Sequence, residues 1–357
     1  MEITKESIFI SAIRTFFKTL FGFIAILIVL IPLFIGLSSM GGEKNYADKN
    51  RIVFLPDANG NQQIQSLSAP VILQIDIQGI VGAESLTADH VRSKLIESRR
   101  GLLKNDRVKA LLLRINSPGG TVYDSDQIYS MLKEYKEKYK IPIHAYIEDL
   151  CASGGVYISC ASDFISSTPV SLVGSVGVVM GPFFNFTEGL DKIGISTFTF
   201  TKGKDKDMMN PFRKWTEEDK ISLNNISDYT YNRFVTIVVG ARAKITKGEL
   251  INTYGANIFD AAKARSIGFT DECDFGYNQA LEHLLKEANI DNTKPYQVVA
   301  LEPKNKWVQD LFKSKWLSKG KVTHTFALPN QKQVKNDSLF YYLYNPFGQT
   351  LITQSDE

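Results

Sequence analysis

The chain is poor in the residues on which disulfide, metal and histidine chemistry depend. Its 357 residues include three cysteines and four histidines. An odd number of cysteines does not indicate a disulfide framework, and no metal-ligand spacing, phosphate-binding loop or repeat period is visible. The net charge of +3 is too small to indicate nucleic acid as a partner. We therefore expect neither a metal ion nor any other cofactor.

An apolar segment without charged residues, Leu20 to Leu37, stands near the N-terminus and is interrupted only by Pro32. It is long enough for the roughly 20-residue span of a bilayer and predicts one transmembrane helix. Arg14 and Lys18 precede it, so the positive-inside rule favours an outward-facing position for the rest of the chain. Small residues after the segment leave open its removal as a signal peptide.

Beyond this segment, hydrophobic periodicity predicts strands that alternate with helices, which is typical of the α/β class. The predicted strands are Val71–Val81, Val108–Asn116, Ile141–Glu148, Phe164–Thr168 and Ser196–Thr201, and the predicted major helices are Asp124–Tyr139 and Thr216–Ala241. The predicted organisation is a stub and anchor (1–40), a polar linker (41–68), the main domain (69–301) and a basic, aromatic extension of unknown role (302–357).

Two glycine-rich turns carry the strongest functional signal. Ser153 precedes the pair Gly154–Gly155, and Gly119–Gly120 ends the apolar run that begins at Ala110. A serine beside paired glycines can stand at a sharp strand-to-helix turn, where backbone amides point at a developing oxyanion. Ser153 is therefore a candidate nucleophile, and the amides of Gly154 and of Gly119 or Gly120 are candidate oxyanion donors. The alternative is that Ser153 is an ordinary helix N-cap.

The combination of Asn116-Ser117-Pro118-Gly119-Gly120 with Ala152-Ser153-Gly154-Gly155 resembles the signal peptide peptidase A (protease IV) family of serine proteases, in its short, single-repeat form. The resemblance spans roughly residues 70–301. It implies a superhelix of repeated strand-strand-helix units, as in the caseinolytic protease and crotonase families, and an enzyme without a cofactor. The chain departs from the family at Val156, where tyrosine is common after the glycine pair.

A serine hydroxyl needs a base within hydrogen-bond reach, and the resemblance implies a lysine. The matching segment is Lys206 to Pro211, so Lys206 is the expected base. Lys202 and Lys204 are competitors, and a solvated basic loop is the alternative for all three. A lysine amine, whose ordinary pKa is near 10.4, acts as a base near pH 7 only where a dry pocket lowers that pKa by about three units. The resemblance assigns Ser175 the role of orienting the lysine, against the alternative of a simple turn.

Histidine and cysteine offer other routes to catalysis. His144 lies in an alternating, strand-like run and is expected to be packed, whereas His90, His283 and His324 show no partner pattern. A Ser-His-Asp triad is therefore open but weakly supported. Cys151 is an unsuitable nucleophile, because it lies too far before the glycine pair in the chain for its thiol to use the backbone amides of that pair.

The resemblance implies a membrane-anchored serine endopeptidase of the bacterial inner membrane that degrades residual signal peptides and similar apolar segments. Its catalytic domain would face the periplasm or the extracytoplasmic side. The resemblance also implies a homo-oligomeric ring with apolar grooves; Phe183, Phe184 and Phe186 are candidate lining residues, although core packing is their expected role. Peptides and the membrane are the expected partners. Two other classes stay open: an acyl-CoA hydratase or thioesterase on the same fold, and a non-catalytic membrane scaffold.

Overall fold

The computed structural model describes residues 15–23, 50–83, 86–303 and 341–343. The chain divides into two compact units, Met1–Asp48 and Lys49–Glu357. In the first unit, residues 15–23 form helix α1, and all of them are exposed. Within the described part of the chain, we find no helix long and apolar enough to cross a bilayer. Most of the predicted span, residues 24–37, lies outside the described residues.

The second unit alternates strands with helices, which confirms the α/β class. The strands are β1 (Asn50–Leu55), β2 (Val71–Gln78), β3 (Val108–Ser117), β4 (Gly119–Thr121), β5 (Ile143–Ala152), β6 (Phe164–Ser167), β7 (Leu172–Gly174), β8 (Ile258–Asp260), β9 (Gln297–Pro303) and β10 (Tyr341–Leu343). The helices are α2 (Ala88–Glu97), α3 (Val122–Tyr139), α4 (Gly154–Ser159), α5 (Thr187–Lys192), α6 (Glu217–Ala241), α7 (Lys247–Glu249), α8 (Ala261–Ile267) and α9 (Tyr277–Glu287). A 3₁₀ turn (Gly101–Leu103) and a π-helical turn (Leu250–Tyr254) complete the set.

Eight strands form one sheet in the order β1-β9-β2-β3-β5-β7-β8, and β6 also pairs with β5. The central strands β9, β2, β3, β5 and β7 are parallel, whereas the edge strands β1 and β8 are antiparallel to their neighbours. Since parallel strands end at the same edge of a sheet, the turns that follow β3 and β5 lie side by side. The fold therefore brings the two glycine-rich turns together.

Alternate residues of the central strands pack into two apolar clusters on opposite faces of the sheet. Leu111 and Leu113 of β3 pack with residues of α2, α3, α4 and α6. Ala110 and Leu112 of the same strand pack with α9. Burial on both faces explains why β3 reads as a continuous apolar run in the sequence.

Two differences between the structure and the sequence prediction concern residues 50–55 and Ser196–Thr201. Residues 50–55, within the predicted 41–68 linker, form β1 because they pair in register with β9. Ser196–Thr201 is not a strand. The alternation of Phe198 and Phe200 suggested one, but no described strand pairs with this segment, and the two residues are 87% and 78% exposed. Periodicity alone could not show that a partner strand is missing.

Candidate active site

Ser153 stands at the turn between β5 and α4. Its backbone has φ 53° and ψ −112°, in a region that residues other than glycine rarely adopt. The Ser153 N–H donates to the Gly174 carbonyl oxygen at 2.9 Å, and the Tyr157 N–H donates to the Ser153 carbonyl oxygen at 3.0 Å. Such a conformation costs about 1–3 kcal/mol, and it persists where the surrounding structure holds it, typically at functional sites.

The Ser153 hydroxyl has no hydrogen-bond partner among the described residues, although the residue is only 1% exposed. Ser153 is the N-cap residue of α4 by position, but its side chain makes no capping hydrogen bond, so it is not an ordinary N-cap. Leaving a buried hydroxyl unpaired costs about 1–3 kcal/mol. An unpaired buried hydroxyl is rare and is often found at a functional site.

Gly154 lies directly against the Gly119–Gly120 turn. A Cβ on Gly154 would stand 3.2 Å from both Gly119 Cα and Gly120 N, and a Cβ on Gly120 would stand 1.9 Å from the Val81 carbonyl oxygen. Only glycine permits these approaches. The Gly119 N–H donates to Ser117 Oγ at 3.1 Å, whereas Gly120 pairs with Tyr342 of the C-terminal extension. The structure thus brings the predicted glycines together beside Ser153.

Ser175 follows the neighbouring strand at the same level as Ser153. Strand β7 pairs with β5 so that Gly174 lies opposite Ala152, which places the two serines at adjacent strand ends. Ser175 is buried and has a positive φ of 58°, and its N–H donates to the Asn257 carbonyl oxygen at 2.7 Å. The structure therefore places Ser175 beside Ser153, and its predicted role in orienting the lysine stays a prediction.

Lys206 is exposed and lies in the loop between α5 and α6. Arg213 links this loop to the start of α6. Its guanidinium donates to Asp207 Oδ2 of the loop at 2.8 Å and to Asp219 Oδ2 of α6 at 2.7 Å. The hydrogen bonds from Arg213 hold the pKa of Asp219 well below its ordinary value. Because the Ser153 hydroxyl has no described partner, the single chain does not join Lys206 to Ser153 by a hydrogen bond.

The structure disfavours Cys151, Cys160 and His144 as catalytic groups, whereas His324 lies outside the described residues. Burial raises the pKa of the Cys151 thiol far above its ordinary value and that of Cys160 to about 12, so neither forms a thiolate nucleophile at neutral pH. His144 is buried, as predicted, and its Nε2 hydrogen-bonds Ser166 Oγ at 2.8 Å. Burial lowers the pKa of His144 to about 3. Its ring contacts His283 of α9, on the face of the sheet opposite α4.

A strand from the C-terminal extension lies along the glycine-rich turn. Strand β10 pairs antiparallel with β4, with Tyr342 opposite Gly120 and Leu343 opposite Gly119. It also lies close to α3 and α4. The sequence showed only an aromatic stretch here, because local patterns do not reveal a pairing between distant segments.

Exposed apolar side chains are concentrated between β7 and α6. They are Val179, Phe184, Phe186, Ile193, Ile195, Phe198, Phe200 and Phe212. Phe184 and Phe186 are 64% and 51% exposed, so their expected packing in the core is wrong. The ring centroid of Phe186 lies 6.3 Å from that of Phe184 and 6.2 Å from that of Phe212. Exposed apolar groups of this extent indicate an interaction surface.

The chain is similar to a known protein family, to individual relatives and to solved structures. The family model "Peptidase family S49" matches residues 135–291. "Putative signal peptide peptidase SppA" of Enterococcus faecium is 31% identical over 254 residues, which cover 69% of this chain and 70% of that protein. "Protease 4" of Salmonella typhi is 28% identical over 193 residues, which cover 54% of this chain and 29% of that protein. Among solved structures, a ClpP1 mutant from Listeria monocytogenes has a TM-score of 0.39 at 15% identity, with 58% of this chain and 94% of that chain covered.

Proposed function

Since the chain belongs to peptidase family S49 and is a serine protease, we propose that Ser153 is its nucleophile and Lys206 its general base. The observation that carries this proposal is the buried, unpartnered Ser153 hydroxyl. It stands on a strained turn whose neighbours, Gly154 and Gly120, are held in close contact. Lys206 is proposed from the sequence match and from its place in a loop that Arg213 fastens to α6.

The proposed reaction is acyl transfer to serine. Ser153 Oγ attacks the scissile carbonyl carbon while the Lys206 amine accepts the hydroxyl proton, and the amine then returns that proton to the leaving nitrogen. The N–H groups of Gly154 and Gly120 donate to the oxyanion of the tetrahedral intermediate. Ser175 orients the amine. Water activated by the same amine then hydrolyses the acyl-enzyme.

The edge of β4 is the proposed binding site for the substrate backbone. Strand β10 already pairs with this edge, which supports the view that an extended peptide fits beside the glycine-rich turn. Main-chain hydrogen bonds of this kind bind peptides of many sequences, because they do not depend on side chains. Residual signal peptides and similar apolar segments are the proposed substrates.

Assembly of several subunits is the proposed means of completing the site. A lysine base must be desolvated to be neutral near pH 7, yet Lys206 is exposed in the single chain. The exposed phenylalanines on both sides of Lys206, among them Phe200 and Phe212, suit burial against a second copy. We propose that a homo-oligomeric ring buries this segment and brings the Lys206 amine of one subunit to Ser153 of the next.

The proposed location is the bacterial inner membrane, with the catalytic domain on the periplasmic or extracytoplasmic side. The support is the apolar run Leu20–Leu37 with Arg14 and Lys18 before it. A tethered protease meets apolar remnants in the lipid at high effective concentration.

The resemblance of the sequence also supports the crotonase-like superhelix of repeated strand-strand-helix units for residues 69–301.

Substrate choice tests the proposal against the acyl-CoA alternative. The purified chain is offered an internally quenched peptide with a signal-peptide-like apolar sequence and, separately, an acyl-CoA thioester. We expect cleavage of the peptide, loss of that cleavage in Ser153→Ala, and an unchanged rate in the control Ser266→Ala, whose hydroxyl donates to the Lys263 carbonyl oxygen on the exposed face of α8. Turnover of the thioester alone, or peptide cleavage by Ser153→Ala, would contradict the proposal.

A further inference from the structure

A cluster of three possible metal ligands lies where α9 packs against β5. His144 comes from β5, and His283 and Glu287 stand one turn apart on α9. One ligand atom from each side chain lies within 4.8 Å of the other two. The cluster belongs to the face of the sheet that packs on α9, whereas α4 belongs to the opposite face. It is therefore separate from the proposed peptidase site.

Both imidazoles have a buried nitrogen without a partner. The Nδ1 atoms of His144 and His283 are buried and make no hydrogen bond to any described residue. His144 is 0% exposed, and its Nε2 is already bonded to Ser166 Oγ at 2.8 Å. A hydroxyl on one ring nitrogen fixes the orientation of the ring and leaves the other nitrogen for a metal, which is the usual arrangement around protein-bound zinc.

Packing alone does not account for these nitrogens. The ring of His283 stacks on Phe164 with centroids 3.9 Å apart and meets the ring of His144 edge-on at 5.2 Å. An apolar ring would make the same stacking contacts. Each unpaired buried nitrogen instead costs free energy that a bound cation would recover.

The donor set selects the kind of ion. Two imidazole nitrogens and one carboxylate oxygen suit Zn²⁺, which binds these groups at about 2.0–2.2 Å and accepts water as a fourth ligand. Glu287 is the exposed member of the cluster, so its side chain is free to rotate and close the remaining distance. Ca²⁺ and Mg²⁺ prefer ligand sets made of oxygen.

We propose that His144, His283 and Glu287 form a Zn²⁺ site that joins α9 to β5. Strand β5 leads directly into Ser153, so the ion would stiffen the strand that carries the nucleophile. Sequence patterns do not indicate this site, because His144 is far from the other two ligands along the chain. The only local signal is the spacing of four between His283 and Glu287, which places both on one side of a helix.

Zinc binding by the tag-free, full-length chain tests the proposal. After removal of metal with a chelator, Zn²⁺ is titrated in competition with a chromophoric chelator, and Co²⁺ is added separately to read the absorption bands of a tetrahedral site. We expect one Zn²⁺ per chain and a rise in Tm with zinc. Glu287→Gln, an exposed substitution, should weaken binding by at least about tenfold. His283→Phe, which keeps the stacking on Phe164, should abolish binding.

The matched control is His90→Gln, which removes a histidine that hydrogen-bonds Thr87 away from the cluster. It should bind Zn²⁺ as the wild type does and show the same rise in Tm. The proposal is overturned if the wild type binds no Zn²⁺, or if its affinity and Tm shift are unchanged in both Glu287→Gln and His283→Phe. Circular dichroism of each variant confirms that a loss of binding does not come from unfolding.

Discussion

At the scale of single residues, Ser153 combines two unfavourable features in the chain. Its backbone has a positive φ of 53°, and its buried hydroxyl is unpartnered among the described residues. Each feature costs about 1–3 kcal/mol. The sequence predicted the position of the turn from Ser153 and Gly154, since glycine pairs mark sharp turns. It could not predict the strain at Ser153, which depends on how the Gly174 carbonyl oxygen and α4 hold the turn.

Replacing Ser153 should separate stability from activity. Ser153→Gly removes both the strained side chain and the unpaired hydroxyl, whereas Ser153→Ala removes only the hydroxyl. After allowing for the entropy that glycine adds to the unfolded chain, we expect Ser153→Gly to be more stable than Ser153→Ala by about 1 kcal/mol. Both variants should be inactive. Chemical denaturation measures the difference, and a glycine variant less stable than the alanine variant would refute the account of strain.

At the scale of elements, the outcome of each prediction depended on how far apart the contacting residues lie in the chain. Strands β3 and β5 and helix α6 carry their signal locally, in apolar runs and in the acidic residues that follow Thr216, and they were predicted. The strand expected at Ser196–Thr201 failed because alternation cannot reveal a missing partner. Strand β10 was missed for the converse reason, since its pairing with β4 joins segments more than two hundred residues apart.

The pairing of β10 with β4 predicts competition with substrate. Removing residues 341–357 should free the edge beside Gly120, so kcat/KM for a peptide should rise, chiefly through a lower KM. The matched control removes residues 344–357 and keeps β10. The measurement is a comparison of kcat and KM between the two truncated chains. Identical values would show that β10 does not compete with peptide at this edge.

At the scale of the whole molecule, the described chain shows no hydrogen bond between the proposed nucleophile and the proposed base. Ser153 is buried, Lys206 is exposed, and exposed phenylalanines flank the lysine. The sequence resemblance indicated Ser153 and Lys206 but not that they lie apart in the single chain. The position of the exposed loop that carries Lys206 depends on the surfaces that pack against it, which a sequence pattern does not show. The proposed assembly into a ring would bury this loop, which is rich in exposed phenylalanine.

Mixing two inactive variants tests this assembly. If Lys206 of one subunit serves Ser153 of its neighbour, mixed oligomers of Ser153→Ala and Lys206→Ala contain some intact sites. For random mixing in equal amounts, about a quarter of the interfaces pair an intact lysine with an intact serine in a head-to-tail ring. Peptide cleavage should therefore return after the variants are dissociated and reassembled together. An inactive mixture, with oligomers present by light scattering, would place both catalytic residues in the same subunit.

The central claim is that Ser153 is an activated nucleophile, and covalent labelling tests it most directly. The assembled wild-type protein is treated with a fluorophosphonate, and the modified residue is located by peptide mass spectrometry. We predict a single label on Ser153, a strongly reduced labelling rate in Lys206→Ala because the hydroxyl loses its base, and no label in Ser153→Ala. An active wild-type protease that takes no label, or takes it on another residue, would contradict the account.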